Sequence, residues 1–475
     1  MKIFKPLKTI RIMKKIILTL ALALFTGSVM AQTPEEKAAA KAAKAALKAA
    51  TKQANSLLSQ GLANANQAQT LHQAIQAEKQ KGDASNDRLI IENEMQIQTL
   101  SVQGIDQITE ALATGYINDN KKFEAYRSLD FMSTSVFSCE IEKYQNKEPY
   151  NREALGKAIF ALAEACHGQL TYGNPKDQMH TALMEAARMK FPNAFSYLAY
   201  LCQFCIEEKD LEDAQKALDA YINFPIKYPE MAEHEKVKNP DYPASQFAFN
   251  IFYTAFNDKN AELMDKYYEM ALQFDNKDSH DFVLRAKPQL LKEQGKIEEW
   301  IVATKEMIAA APNSEVGEIG MQQLMAHFIN IDSVSADAYT AELIEKYPEN
   351  KVANYCRGFV FYSRSDFESA IKFYEKSVEV DPNYADGLYN CGYCYYQNAL
   401  EKARAISGKK MKPQAAIKEA EAEVKAIFAK AAPYFERYRE FETEDPTRWA
   451  TPLKVIYKNI GEPEKAAEMD AYIEN

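Results

Sequence analysis

The chain is predicted to be all-α, a helix–turn–helix repeat solenoid preceded by an Ala-rich helical segment. Two observations carry this. Pro312, Pro348 and Pro382 recur at spacings of 36 and 34 residues, and a period between about 20 and 50 residues is the signature of stacked supersecondary units. Gly is scarce, at 16 of 475 residues, about half the usual frequency, and alternating apolar–polar runs are few. Tight turns and sheet are therefore sparse, while a hydrophobic content of 47% is ample for a long core.

The first 31 residues read as a secretory leader. Lys2, Lys5, Lys8, Arg11, Lys14 and Lys15 precede an apolar run over residues 16–25, and Val29, Met30 and Ala31 resemble a cleavage site. The run is too short to span a membrane, which takes roughly 20 apolar residues. The mature chain is expected to start at Gln32, whether translation begins at Met1 or at Met13. Its first Cys is Cys139, so no lipid-bearing Cys follows the cut. An exported bacterial protein is expected, periplasmic or secreted, with no membrane span. Removing the leader leaves 51 basic and 67 acidic residues, a net charge of −16. That balance lacks the basic footprint that a phosphate backbone requires, so nucleic acid is not an expected partner.

Residues 32–84 are dominated by Ala. Lys37, Lys41, Lys44, Lys48 and Lys52 recur at spacings of 4, 3, 4 and 4, one stripe of a helix, which reads as a solvated helical segment or stalk. Residues 85–190 form a helical N-terminal region, clearest over 88–113 and 152–170, that does not register to the repeat. Repeat units are expected over residues 191–475. Leu201, Asp210, Leu211, Ala214 and Leu218 mark one within residues 198–221, and another lies between Phe247 and Asn276. Leu284, Leu291, Gly295 and Trp300 lead to Pro312; Leu324, Ala336 and Leu343 lead to Pro348. Pro225, Pro229, Pro240 and Pro243 mark a loop over residues 223–243, because Pro interrupts a helix. An insertion near residues 398–412, with Lys402, Arg404, Lys409, Lys410 and Lys412, is expected to break the unit that starts at Ala385. Residues 449–458 and 463–474 form a closing pair whose charge suits a cap.

Residues 353–396 carry the most legible unit. Gly358 fills the small slot where two helices touch, and Phe361 the aromatic slot after it. Ala370 and Tyr374 mark the second helix, Pro382 ends it, and Leu388, Gly392 and Tyr395 begin the pattern again. The chain thereby resembles the tetratricopeptide-repeat (TPR) family, with two departures: Asn354 stands where Trp is usual and Arg357 where Leu is usual. The resemblance implies a superhelix, a binding scaffold, and first helices that line a concave face. The inward-facing residues would be Met321, Met325 and Phe328, then Tyr355, Phe359 and Tyr362, then Tyr389, Tyr393 and Tyr396. Each trio is spaced 4 and 3, on one helical face. Family members that clamp a peptide's terminal carboxylates place Lys and Asn at such positions, which this chain does not. These nine side chains would either hold an external protein or peptide or be covered by the chain itself.

Seven Cys leave at least one unpaired in an oxidising compartment. The pairs Cys202/Cys205 and Cys391/Cys394 have Cys-x-x-Cys spacing, but a thioredoxin-type motif belongs near a βαβ pattern. Here they fill small and apolar slots, so packing is expected. A Cys₄ zinc site would need two closely spaced pairs. Residues 381–392 lack the Gly and Glu of a calcium loop. Glu230 and His234 share a helical face without a third ligand, and the side chains of Cys166 and His167 diverge by about 100°. Gly-x-Ser-x-Gly, phosphate-loop and His-Glu-x-x-His patterns are missing. The expected function is therefore a non-catalytic scaffold, without cofactor or metal, that binds a protein or peptide segment in the cell envelope as an adaptor or assembly factor. Two alternatives stand beside it: a glycan-binding module, since stacked Tyr rings suit sugar faces, and a thiol oxidoreductase using Cys391 and Cys394.

Overall fold

A computed structural model describes residues 34–81, 87–407 and 414–473; the leader expected over residues 1–31 lies outside the described residues. Every regular element among the described residues is a helix. The chain divides into two compact units, Met1–Asp275 and Asn276–Asn475. No division falls at residue 190, which lies inside a continuous helix.

The first unit opens with a helical hairpin, α1 (Pro34–Lys81) and α2 (Asp87–Ala113). Then α3 (Asp119–Gln145) packs on α4 (Arg152–Tyr172), and α5 (Gln178–Glu207) on α6 (Leu211–Lys227). A short α7 (Glu235–Lys238) precedes the pair α8 (Ala244–Asn257) and α9 (Ala261–Ala271). The Ala-rich segment is not a free stalk. Ala54, Leu58, Ala65, Ala68 and Ile75 are buried at helical spacing, in clusters with Ile97, Ile105 and Ile108 of α2. Small residues permit the close approach: a Cβ on Gly61 would stand 2.5 Å from the Ile108 side chain. Ala packs as readily as it solvates, so the Lys stripe dominated the sequence pattern although only part of the helix obeys it. Lys41, Lys44, Lys48 and Lys52 are exposed. The Pro-rich loop also starts later than expected. Pro225 lies inside α6, in its last turns, where it forfeits one i→i−4 hydrogen bond, and the buried Tyr221 and Phe224 hold that end down.

The second unit is a run of helix pairs. These are α10 (Lys277–Glu293) with α11 (Ile297–Ala310), α12 (Glu315–Ile331) with α13 (Ser333–Lys346), and α14 (Lys351–Ser363) with α15 (Phe367–Val380). There follow α16 (Ala385–Ser407) with α17 (Gln414–Tyr438), and α18 (Thr447–Ile460) with the short α19 (Pro463–Glu468) and α20 (Asp470–Ile473). Each helix packs on the next, and the first helix of each pair also touches the first helix of the following pair. This is a helix–turn–helix repeat solenoid. The expected insertion does not end the first helix after Tyr396: α16 runs on to Ser407, because Ala399 is buried and Leu400, Ala403 and Ile406 continue its apolar face. Residues 408–413 lie outside the described residues.

One turn recurs in both units and explains why the repeat is faint in sequence. Lys209, Lys259, Gly295 and Ser365 all adopt positive φ, between 56° and 72°. The next residue in each case donates its backbone N–H to the carbonyl five residues back: Asp210 to Cys205 at 2.8 Å, Asn260 to Ala255 at 2.8 Å, Lys296 to Leu291 at 3.0 Å and Asp366 to Phe361 at 3.0 Å. These bonds close the helix end in a Schellman motif. Asp210, Asn260 and Asp366 then accept from the N–H three places on, capping the following helix. Gly would be the usual left-handed residue, yet only one of these four turns has it.

The slots of the 353–396 unit are occupied as the spacing requires. A Cβ on Gly358 would meet the fully buried Tyr374 ring at 2.9 Å, so only Gly lets α14 and α15 touch there. The two departures have their own partners. The buried Asn354 amide donates to the Pro348 carbonyl at 2.8 Å and the Asn350 carbonyl at 2.9 Å. Arg357 pairs with Asp337 at 2.8 Å and lies 4.6 Å from the centroid of the Phe361 ring.

Candidate binding face

The three trios on the first helices behave differently. On α12, Met321 is fully buried and Met325 is 8% exposed, in a core with Trp300, Leu324 and Tyr339. The Phe328 ring leans on Tyr339 at 5.0 Å. Met321 and Met325 are therefore packing residues and line no surface. Their long, unbranched side chains fill the space beneath Tyr339, whose hydroxyl donates to the Met321 carbonyl at 3.3 Å.

On α14 and α16 the six rings are half-buried and connected. Tyr355 lies 6.4 Å from Phe359, Phe359 lies 6.0 Å from Tyr362, and Tyr362 crosses to Tyr393 of α16 at 6.2 Å. Tyr393 stacks on Tyr389 at 5.8 Å and lies 6.1 Å from Tyr396. The helical spacing puts each trio on one face, and the touching of α14 and α16 joins the two trios. Burial raises the phenol pKa of Tyr355, Tyr362, Tyr389 and Tyr396. These rings thus present neutral hydroxyls beside apolar faces, a combination suited to interfaces.

Sequence reasoning missed three residues at the borders of this ladder. Tyr384 meets Tyr355 edge-on at 5.6 Å and accepts a hydrogen bond from Gln322 at 3.3 Å. Tyr438 lies 5.1 Å from Tyr389, and Arg448 of α18 covers Tyr389. Tyr384 sits just before α16 in the inter-unit turn, where a helical-face count does not reach. Arg448 and Tyr438 come from elements whose register the sequence leaves open.

Residues 358–398, from the middle of α14 into α16, match the family model for the TPR repeat. That stretch of the chain is a TPR repeat. No curated protein sequence matches it. Solved TPR-type structures similar to it include yeast Tom70, at 13% identity over 88% of this chain and 91% of that one, with a TM-score of 0.28. The TPR2AB domain of yeast Sti1, in a complex with pHSP90, is 16% identical over 70% of this chain and 98% of that one, with a TM-score of 0.24. PilW, a type IV pilus biogenesis factor, is 14% identical over 48% of this chain and 92% of that one, with a TM-score of 0.26.

Helix packing also accounts for the Cys pairs. Cys202, Cys205, Cys391 and Cys394 are all fully buried free thiols. Burial drives the Cys391 thiol far above its ordinary pKa and pushes Cys394 up to about 12. A redox-active thiol needs the opposite shift and an exposed sulfur, so these atoms pack the helical core. Among the described residues, no group of three or more His, Cys, Asp or Glu side chains is placed to hold a metal ion. Glu230 pairs with His167 rather than His234: its carboxylate lies 2.6 Å from His167 Nδ1. His234 instead caps α7, accepting from the Lys236 N–H at 3.2 Å.

Proposed function

We propose that this protein is a non-catalytic TPR-type scaffold that holds a protein or peptide segment against the aromatic face of α14 and α16. One observation carries the reading: six half-buried rings from two successive first helices form a single connected ladder. First-helix surfaces of such stacks are the usual binding faces. Its partner is taken up as an adaptor or assembly factor in the cell envelope. The leader-like residues 1–31 support that compartment, and no helix among the described residues is long and apolar enough to cross a membrane. The strongly acidic balance argues against nucleic acid as the partner.

The test is photo-crosslinking in living cells from a benzoylphenylalanine placed at Tyr362 or Tyr393. A discrete adduct with another protein is expected from both sites and from neither of two exposed control positions, Lys292 and Lys458. Crosslinks confined to this chain would mean that the face is self-covered and would end the proposal.

A further inference from the structure

Helix α1 carries a sharp break in charge. Residues 37–77 hold five Lys and no Asp or Glu, while the rest of the chain after residue 31 holds 46 basic and 67 acidic residues, a net charge of −21. The Lys are not scattered. Lys41, Lys44, Lys48 and Lys52 fall within about 80° of helical arc and span about 16 Å of helix, and Lys37 continues their register in sequence. The stripe shares no residue with the aromatic face, and its role does not depend on that face.

Helix α1 outruns its own packing. Ala50, Ala54 and Leu58 are buried, and Lys121, at the start of α3, donates to Asn55 at 2.9 Å. None of residues 40–49 is buried, and Leu47 is 43% exposed. The stripe points away from the packed side, since Lys52 stands two residues, about 200° of arc, from both Ala50 and Ala54. Lys41, Lys44, Lys48 and Lys52 are exposed, and none forms an ion pair or hydrogen bond with a described residue. Elsewhere Lys is matched: Lys216, Lys351 and Lys402 each hold two carboxylates. Like charges four residues apart destabilise a helix, and here no acidic neighbour relieves the repulsion between Lys44, Lys48 and Lys52. An external anionic surface relieves it.

The geometry narrows the partner. Cations in a row on a stiff rod match a continuous field of anions rather than a single anion. The Ala side chains between them are too short to hold the ammonium groups off a flat surface. Residues 32–84 contain no Trp or Phe, the residues that drive an interfacial helix into hydrocarbon, so contact would stop at the headgroups. The acidic remainder of the chain is repelled by the same field, which leaves the stripe as the part that can approach. In sequence the stripe follows the leader-like residues 1–31, which read as carrying the chain to a membrane. We infer that the exposed start of α1 docks reversibly on the headgroups of an anionic phospholipid bilayer.

The test is flotation of the full chain from Gln32 to Asn475 with vesicles of phosphatidylcholine alone or mixed equally with phosphatidylglycerol. The mixed vesicles should carry the protein at about 50 mM salt and release it at about 500 mM, where charges are screened; pure phosphatidylcholine should not carry it. Each Lys at such a surface is worth about fivefold in binding. Combining Lys41→Gln, Lys44→Gln, Lys48→Gln and Lys52→Gln should therefore weaken binding about a hundredfold or more, with helix content and melting temperature unchanged because Gln forms helix as readily as Lys. The same change at the exposed Lys259, Lys277, Lys372 and Lys458 should leave binding intact. Equal carriage by both lipid mixtures, no carriage by either, or binding that survives high salt or the four α1 substitutions would each overturn the inference. So would salt-sensitive retention on immobilised polyglutamate, or salt-sensitive self-association, in protein that ignores the vesicles; these outcomes would give the stripe to an acidic polymer or to a second copy.

Discussion

The guanidinium of Arg448, on α18, lies 4.7 Å from the ring centroid of Tyr389 on α16 and donates to a Glu442 carboxylate oxygen at 2.9 Å. The last helix pair thus places a charged lid on the end of the aromatic ladder. A cation over a ring at a partly exposed site contributes about 0.5–1 kcal/mol. Arg448→Ala should lower unfolding stability by that amount in urea titrations. An unchanged midpoint would mean that the contact is incidental.

Burial separates the two kinds of predicted groove residue. Met321→Ala removes a fully buried side chain and should cost about 2–5 kcal/mol. Tyr393→Ala removes a half-buried ring and should cost clearly less, while abolishing the crosslinks obtained from Tyr362. Paired thermal melts check this. An equal loss in both variants would assign Tyr393 to the core.

The left-handed turns invite replacement. Ser365 and Lys209 hold φ of 58°, where a side chain costs roughly 1–2 kcal/mol and Gly does not. The greater freedom of Gly in the unfolded chain takes back part of this. Ser365→Gly and Lys209→Gly should each stabilise by about 0.5–1 kcal/mol, read as higher denaturation midpoints. A loss of stability would show that these side chains make contacts worth more than the strain.

The thiols should be silent. Six of the seven Cys are buried, and burial raises the pKa of each of them, leaving little thiolate at pH 8. Cys139 is the partly exposed exception. Mass spectrometry after iodoacetamide should find at most one adduct on the native protein and seven in denaturant. Rapid native labelling of Cys391 or Cys394 would restore the redox reading.

Acid should act partly through Asp381. Its carboxylate accepts from Lys351 at 2.9 Å, and this holds its pKa below the ordinary 3.8. A depressed folded-state pKa stabilises above the unfolded value and loses that effect as pH falls through the folded one. Glu318 shifts the other way although Lys351 lies 3.6 Å off, because burial outweighs the longer pairing. Asp381→Asn should therefore cost about 0.3–1 kcal/mol at pH 7, with the gap to the parent protein closing below pH 3.8. Melting temperatures of both proteins across that range test it. A gap that stays constant would exclude the carboxylate's charge as its cause.

The fold was legible where chemistry is one-sided. Pro312, Pro348 and Pro382 each follow a helix end at a regular interval, and Gly358 has no substitute against Tyr374, so these positions announce the repeat. Lys209 and Lys259 do the work of Gly without looking like it, and that blurred the units before residue 276. Side-chain direction was legible on α14 and α16 because 4 and 3 spacing defines a face. Whether that face is covered depends on neighbours, and at Met321 and Met325 the ring of Tyr339 decides it. The ion pair of Asp130 and Lys190 left no trace in the sequence, because the two come from different helices and meet only on folding.

In the second unit each first helix rests on the first helices beside it in sequence. Free energy in such a stack resides in the joints between neighbours, so a disturbance is felt one joint away and fades beyond it. A segment lying across α14 and α16 would act as a splint over a single joint. It would stiffen the two pairs it spans and leave α10 and α11 as supple as before.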